Sequence, residues 1–347
     1  MSDLLRAILP ALEATAGRVL RPADLDVVVV HNTGPIPPVR SRSGSQSGLP
    51  GFNVVVAERG RPIYFCKCRP AGDPALAHEG AIGDVLSREP STARHVAASR
   101  LERGDVIDVL VVQHLPGRPY HELLLKQRDA EWLASVESLM ALVERMAVCV
   151  GTAIPGLRGP ESLRVGDEGR WALSALEAEQ GLARHRVEEL AAALEAGGTM
   201  TARLQHGDLW PPNVLVDGRS WYVLDLELFG RVRVPLYDLL HMLHVCSGVR
   251  RSRAADRRPW VERLMDGDPE EAGARDLIRR TAQRQGLSSS AAFAALAYYV
   301  VDAAARVRAR GAWSADWREY LAQVARLADL VAEDAAAADR LFTTDRG

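Results

Sequence analysis

Lysine is nearly missing from this chain: of its 43 basic residues only Lys67 and Lys126 are lysines, and the rest are arginines. A lysine kept in the middle of a strand-like run then points to a need for a compact ammonium, which a planar guanidinium does not replace. Charge of one sign is also lacking. A net charge of -2 leaves no basic field for nucleic acid or an anionic membrane, and neither is an expected partner. Four cysteines, Cys66, Cys68, Cys149 and Cys246, are scattered. Cys66-x-Cys68 has no second pair to complete a metal site, so buried free thiols are the favoured reading. No run of about eighteen apolar residues stands out. The first residues, MSDLLRAILPALEATAG, carry acids and a helical apolar spacing in place of a signal peptide, so a cytoplasmic protein is expected.

What is present suffices for a sizeable core: 347 residues, 47% hydrophobic, enough for one large domain or two smaller ones. After a short N-terminal helix the first third is strand-rich. Asp26–Val30, Phe52–Ala57, Ile63–Lys67 and Val109–Gln113 are β-branched or aromatic runs bounded by turn residues. Between the third and fourth, Ala75–Leu86 has apolar residues near helical spacing, and a helix is expected there. From Asp129 onward the chain turns helical, with Trp132, Val136, Leu139, Met140, Val143 and Met146 on one stripe. Further helices are expected over Trp171–Ala196, Ser288–Arg310 and from about Ser314, the last with Trp317, Tyr320, Leu321, Val324 and Leu327 on one face. The architecture implied is a small β-rich lobe, a connector and a large helical lobe.

The stretch His206-Gly-Asp208-Leu-Trp-Pro-Pro-Asn213, followed by Asp225-Leu-Glu227, carries the chemistry. Phosphoryl transfer of the kinase type needs a carboxylate to orient the attacking hydroxyl, an Asn a short loop later for a metal, and a second Asp for that metal. All three occur in that order. Asn213–Val216 and Trp221–Asp225 flank the turn signal Asp217-Gly-Arg-Ser220, which reads as a β-hairpin. Pairing of its strands would set Asn213 and Asp225 side by side, with Asp208 arriving on a loop stiffened by Pro211 and Pro212.

These residues resemble the aminoglycoside phosphotransferase family, the small-molecule branch of the protein-kinase-like fold. HGDLWPPN, LDLE and the PLYD at Pro235–Asp238 carry the likeness, which extends over nearly the whole chain. It implies an α+β, protein-kinase-like bilobal fold: a nucleotide-binding lobe over 1–112, a hinge over 113–117, and a catalytic and acceptor-binding lobe over 118–347. It implies Asp208 as catalytic base, Asn213 and Asp225 as Mg²⁺ ligands, Lys67 on the α- and β-phosphates of ATP (or GTP), and Glu79 as its partner. The carbonyl of Gln113 and the amide of Leu115 would hold adenine. His206 and Asp238 would support the loop, and Glu227 would touch a metal or orient the site. One departure is plain: the chain has no G-x-G-x-x-G phosphate loop, which leaves Ser43–Gly48 as the segment whose amides would cover the phosphates, or as a linker.

Only about ten residues separate Glu227 from Asp238, too few to cradle a protein substrate, so the expected acceptor is a small-molecule hydroxyl. From His241 to the end there are seventeen Arg and fifteen Asp plus Glu, which disfavours a strongly cationic substrate. The cluster Arg250, Arg251, Arg253, Arg257 and Arg258 reads as a solvated face, or as a contact for a polar ligand. The expected activity is an ATP- and Mg²⁺-dependent O-phosphotransferase acting on an antibiotic, nucleoside or sugar, in resistance or biosynthesis. A kinase of a primary metabolite such as choline or a ketoamine, and a non-catalytic nucleotide-binding regulator, are the alternatives.

Overall fold

A computed structural model describes residues 3–32, 52–70, 72–88, 99–103, 107–115, 117–158, 161–178, 182–218, 220–251, 256–309, 315–333 and 341–342. In chain order the elements are α1 (Asp3–Ala16), β1 (Leu25–Asn32), β2 (Phe52–Glu58), β3 (Arg61–Pro70), α2 (Pro74–Ser87), β4 (Ser99–Arg103), β5 (Ile107–Gln113), β6 (Arg118–Pro119) and α3 (Tyr120–Leu124). Then come α4 (Asp129–Ala153), α5 (Pro155–Arg158), β7 (Ser162–Arg164), α6 (Val165–Ala178), α7 (Arg184–Ala196), β8 (Thr199–Thr201), β9 (Val214–Asp217) and β10 (Ser220–Val223). The helices α8 (Tyr237–Arg250), α9 (Trp260–Met265), α10 (Ala272–Arg284), α11 (Ser289–Ala309) and α12 (Ala315–Glu333) follow. Packing divides it into two units: Met1–Arg118 with Val148–Ala153 and Leu215–Phe229, and the remainder. Two later segments thus group with the first unit.

The first unit is built on an antiparallel sheet ordered β1-β2-β3-β5-β4. The pleat of β3 sorts its residues by face. Tyr64, Cys66 and Cys68 join Val54, Val56, Val109 and Val111 and the α1 residues Leu5, Ile8 and Leu12 in one apolar core. Lys67 lies between the two thiols and therefore points to the opposite face. Burial pushes both thiols up, Cys68 to about 12, so they are apolar filling. The strand β4 escaped the sequence reading because Ser99-Arg-Leu-Glu-Arg103 is polar and lies at the sheet edge, where one neighbour suffices. The helix α2 begins where Asp73 Oδ1 accepts the Ala75 and Leu76 amides at 2.7 and 3.1 Å, with Pro74 at its first position.

The second unit is helical. α11 is buried along Ala291–Ala305 and packs on α6, α7, α8 and α12. By length and composition alone it qualifies as a membrane span, yet most of it is enclosed by the protein's own helices. Tyr237 Oη on α8 donates to Asp302 Oδ2 on α11 at 2.6 Å, and Arg306 Nε donates to the same oxygen at 2.6 Å. The helix expected over Trp171–Ala196 is in fact two, α6 and α7. Ala183 takes an extended backbone (φ -66°, ψ 142°) and starts the second one afresh.

Candidate active site

In the first unit Lys67 holds two carboxylates. Its Nζ donates to Oε1 and Oε2 of Glu79 at 2.8 Å each and to Oδ1 of Asp225 at 2.8 Å. Lys67 and Glu79 are 8% and 5% exposed, so the pair is shielded from solvent screening. Burial pulls the ammonium down, but the fields of Glu79 and Asp225 outweigh it and hold its pKa above the ordinary lysine value. Glu79 Oε1 also accepts the Leu226 amide at 3.3 Å, and the neighbouring His78 Nε2 lies 2.7 Å from the Phe229 carbonyl. A carbonyl only accepts, so His78 carries its hydrogen on Nε2. Two adjacent residues of α2 therefore grip both ends of the Leu226–Phe229 turn. Asp225 just before it has φ +61°, the left-handed region that non-glycine residues seldom enter. Glu227 is raised above its ordinary value, chiefly by burial and then by the charge of Asp225, with Lys67 opposing.

The end of β5 is arranged by its ladder. Tyr64 pairs with Gln113, and the His114 amide donates to Ile63 O at 2.8 Å. Backbone groups alternate sides along an antiparallel strand, so those of Gln113 point away from β3. The β4 register stops at Val111. Gly117 (φ +123°) follows, and a Cβ there would sit 2.9 Å from Val216 O in the β9–β10 hairpin.

In the second unit the His206–Asn213 loop is fastened from below. Buried Asp238 accepts the His206 amide at 2.6 Å through Oδ2 and the Gly207 amide at 2.9 Å through Oδ1. Gly207 has φ +83°, a conformation that leaves both amides facing one carboxylate. Burial raises the Asp238 pKa, against the pull of His206 and the two amides. The Asp208 amide donates to His206 Nδ1 at 3.3 Å, which puts the imidazole hydrogen on Nε2 and makes fully buried His206 a prop for the loop. Pro211–Asn213 form a 3-10 turn, from which Asn213 Nδ2 donates to Asp208 O at 3.0 Å and Oδ2 at 3.3 Å. The remaining oxygen, Oδ1, lies 4.0 Å from His241 Nε2.

The structure thus brings Lys67, Glu79 and Asp225 together in one unit and Asp208 and Asn213 together in the other, and the β9–β10 hairpin joins the two groups along the chain. The motif reading gave no role to His78, Tyr237, His241 or Asp302, which sit on helix faces where such a residue looks like any other member of the face. Among the described members of the arginine cluster, Arg250 is spent on Leu124 O, Gln127 O and Asp129, while Arg251 and Arg258 pair with Asp256. Tyr298 and Tyr299 are core residues. Ser43–Gly48, Arg253 and Trp313 lie outside the described residues, as does the Trp317 side chain. No group of three or more His, Cys, Asp or Glu suited to a metal occurs among the described residues.

Solved structures share this fold. A Ralstonia eutropha JMP134 protein classed as an aminoglycoside phosphotransferase superposes with a TM-score of 0.59 at 17% identity, over 96% of this chain and 98% of that one. The GDP complex of aminoglycoside 2′-phosphotransferase-IIIa gives 0.56 at 13%, over 95% and 99%. A glucosamine kinase in complex with glucosamine, ADP and inorganic phosphate gives 0.54 at 17%, over 96% and 87%. No curated protein sequence matches the chain. The fold is α+β and protein-kinase-like, and residues 51–277 match the model of the Phosphotransferase enzyme family. The chain belongs to that family.

Proposed function

We propose that the protein transfers the γ-phosphoryl group of ATP, with Mg²⁺, to a hydroxyl of a small sugar-containing or nucleoside natural product, in antibiotic resistance or biosynthesis. The observation that carries this reading is the pair of carboxylates on one buried lysine, Lys67 with Glu79 and Asp225. Such an ammonium is held charged and aimed, as contact with nucleotide phosphates requires. Asp208 accepts the hydrogen of the attacking hydroxyl, and Asn213 holds one of its oxygens so that the other faces the acceptor. Backbone groups of Gln113 and Leu115 receive the adenine edge.

The donor set suits Mg²⁺. Asp225 and Asn213 offer hard oxygens, and this ion is commonly held by one or two carboxylates together with substrate phosphates. Those two residues would hold it, and when bound it neutralises charge on the phosphates. Lys67 would then give up Asp225 and keep Glu79.

The small-molecule complexes of the structural neighbours, with hygromycin B and ADP or with glucosamine and ADP, support an acceptor of the aminosugar or polyol kind. The glucosamine kinase also favours a second reading, a kinase of a primary sugar metabolite. The GDP complex makes GTP a donor worth testing beside ATP. The test is transfer of labelled γ-phosphate from ATP and GTP across aminoglycosides, nucleosides, amino sugars and choline, with and without Mg²⁺. A product that disappears in Asp208→Ala is expected; full turnover by Asp208→Ala would overturn the assignment, and product from choline or glucosamine alone would favour the metabolic reading.

A further inference from the structure

His241 on α8 belongs to none of the motifs, yet its Nε2 lies 4.0 Å from Oδ1 of Asp208. Behind it runs a polar chain through the core of the second unit. His241 Nδ1 lies 3.3 Å from Tyr299 Oη, and Tyr299 Oη lies 2.7 Å from His244 Nδ1. His244 is clamped by aromatic rings, stacked on Trp260 at 5.1 Å and edged by Tyr299 and Tyr320.

The hydrogens along this chain can be assigned from its far end. Gln323 Oε1 accepts the Val261 amide at 2.8 Å, so the Gln323 amide nitrogen is the end that lies 3.4 Å from His244 Nε2. A neutral His244 then accepts at Nε2 and carries its hydrogen on Nδ1. Glu319 lies 3.9 Å from the same Nε2; if it draws a second proton onto the ring, Nδ1 still carries one. His244 therefore donates to Tyr299 in both states. The Tyr299 hydrogen is left for His241 Nδ1 or for Tyr320, which also borders it. In the first case a neutral His241 must carry its hydrogen on Nε2. In the second, His241 donates from Nδ1 to Tyr299, and Nε2 is the acceptor end of the neutral ring. The first arrangement, with Tyr299 donating across the 3.3 Å contact to Nδ1, ends in an N–H at Nε2.

We propose that this Nε2–H binds the acceptor substrate: it donates to the oxygen that becomes phosphorylated, beside Asp208. The proposal rests on Asp208 being the base. A gap of 4.0 Å is too long for a direct hydrogen bond, but one oxygen with two bonds of about 2.8 Å spans it at an angle of about 90°. The acceptor oxygen then gives its hydrogen to Asp208 and takes a hydrogen bond from His241 on one lone pair, which leaves the second lone pair with a fixed direction. The new O–P bond forms as the bond from the γ-phosphorus to its bridging oxygen breaks. The hydroxyl proton passes to Asp208, and His241 keeps its own. An amine has a single lone pair and cannot both receive His241 and attack, so the site selects alcohols over amines.

Two measurements on the full chain test this. Long-range ¹H–¹⁵N correlation on histidine-labelled protein, with His241→Gln assigning the resonance, reads the ring directly. A hydrogen on Nε2 is expected in wild type, and an Nδ1–H tautomer with bare Nε2 would overturn the proposal. Hydrolysis of ATP, with water as acceptor, is then compared among wild type, His241→Leu, His241→Gln and Asp208→Asn. Loss of one donor in His241→Leu should slow turnover about tenfold at unchanged KM for ATP, with the amide donor of His241→Gln restoring most of it. An inactive Asp208→Asn beside a fully active His241→Leu sinks the role of His241. A fully active Asp208→Asn instead sinks the assignment of the base, while the ring readout still decides the tautomer.

Discussion

Lys67 and Asp225 are 158 residues apart in sequence and 2.8 Å apart in space, Nζ to Oδ1. One ammonium therefore serves a nucleotide-type pairing with Glu79 and restrains a candidate metal ligand at the same time.

Replacing Lys67 separates these duties. Lys67→Met leaves two carboxylates facing each other without a cation, at a cost of about 3–5 kcal/mol for a broken buried pair. Urea unfolding should show the lower midpoint. Lys67→Arg keeps the charge, yet its planar head does not fit a site shaped for a point donor, so near-native stability with ATP turnover down at least about a hundredfold is expected.

Asp208→Asn tests the base. The loop geometry depends on Asp238 and His206, and survives. Steady-state kinetics should show kcat reduced by about 10²- to 10⁴-fold with the KM for ATP little changed.

Asp238→Leu should damage both stability and turnover although it touches no substrate. The His206 and Gly207 amides lose their acceptor, each costing about 1–3 kcal/mol when left buried and unpaired. Thermal denaturation and kcat measured side by side check this; Asp238→Asn, which keeps one acceptor oxygen, should fall between.

Asp256 gives a pH signature. Hydrogen bonds from the side chain and then the backbone of Arg258 hold its carboxyl down at about 2. The folded pKa is depressed, so the stabilisation is complete above the ordinary value of 3.8 and is lost as pH falls from there toward 2. The site is exposed, and the effect on stability is small. Carboxyl ¹³C titration should return Asp256 toward 3.8 in Arg258→Gln.

Gly117→Ala combines a φ of +123° with a Cβ placed 2.9 Å from Val216 O. Both oppose the substitution, and a loss of about 1–3 kcal/mol is expected by urea titration.

The hairpin, the sheet and the order of the site residues were legible because each follows from local pattern: β-branched runs, a turn between Val216 and Trp221, and Asp-Asn-Asp spacing. β4 was not, since an edge strand of Ser, Arg and Glu around a single Leu101 lacks an apolar face. The break between α6 and α7 was not, since Gly181 is the one strong stop signal there and a lone glycine is tolerated within a helical pattern. His78, His241 and Tyr299 were illegible for a different reason. Their significance lies in what each ring nitrogen or hydroxyl meets, and partners far away in sequence decide that.

The left-handed backbone at Asp225 limits what this position can become. Asparagine and glycine tolerate the conformation but discard the charge that Lys67 faces; glutamate keeps the charge but strains the backbone. Ordinary stepwise drift is therefore blocked along both routes. A descendant that abandoned the carboxylate would have to change Lys67 and Glu79 as well, so the three residues are expected to be kept or lost as a set.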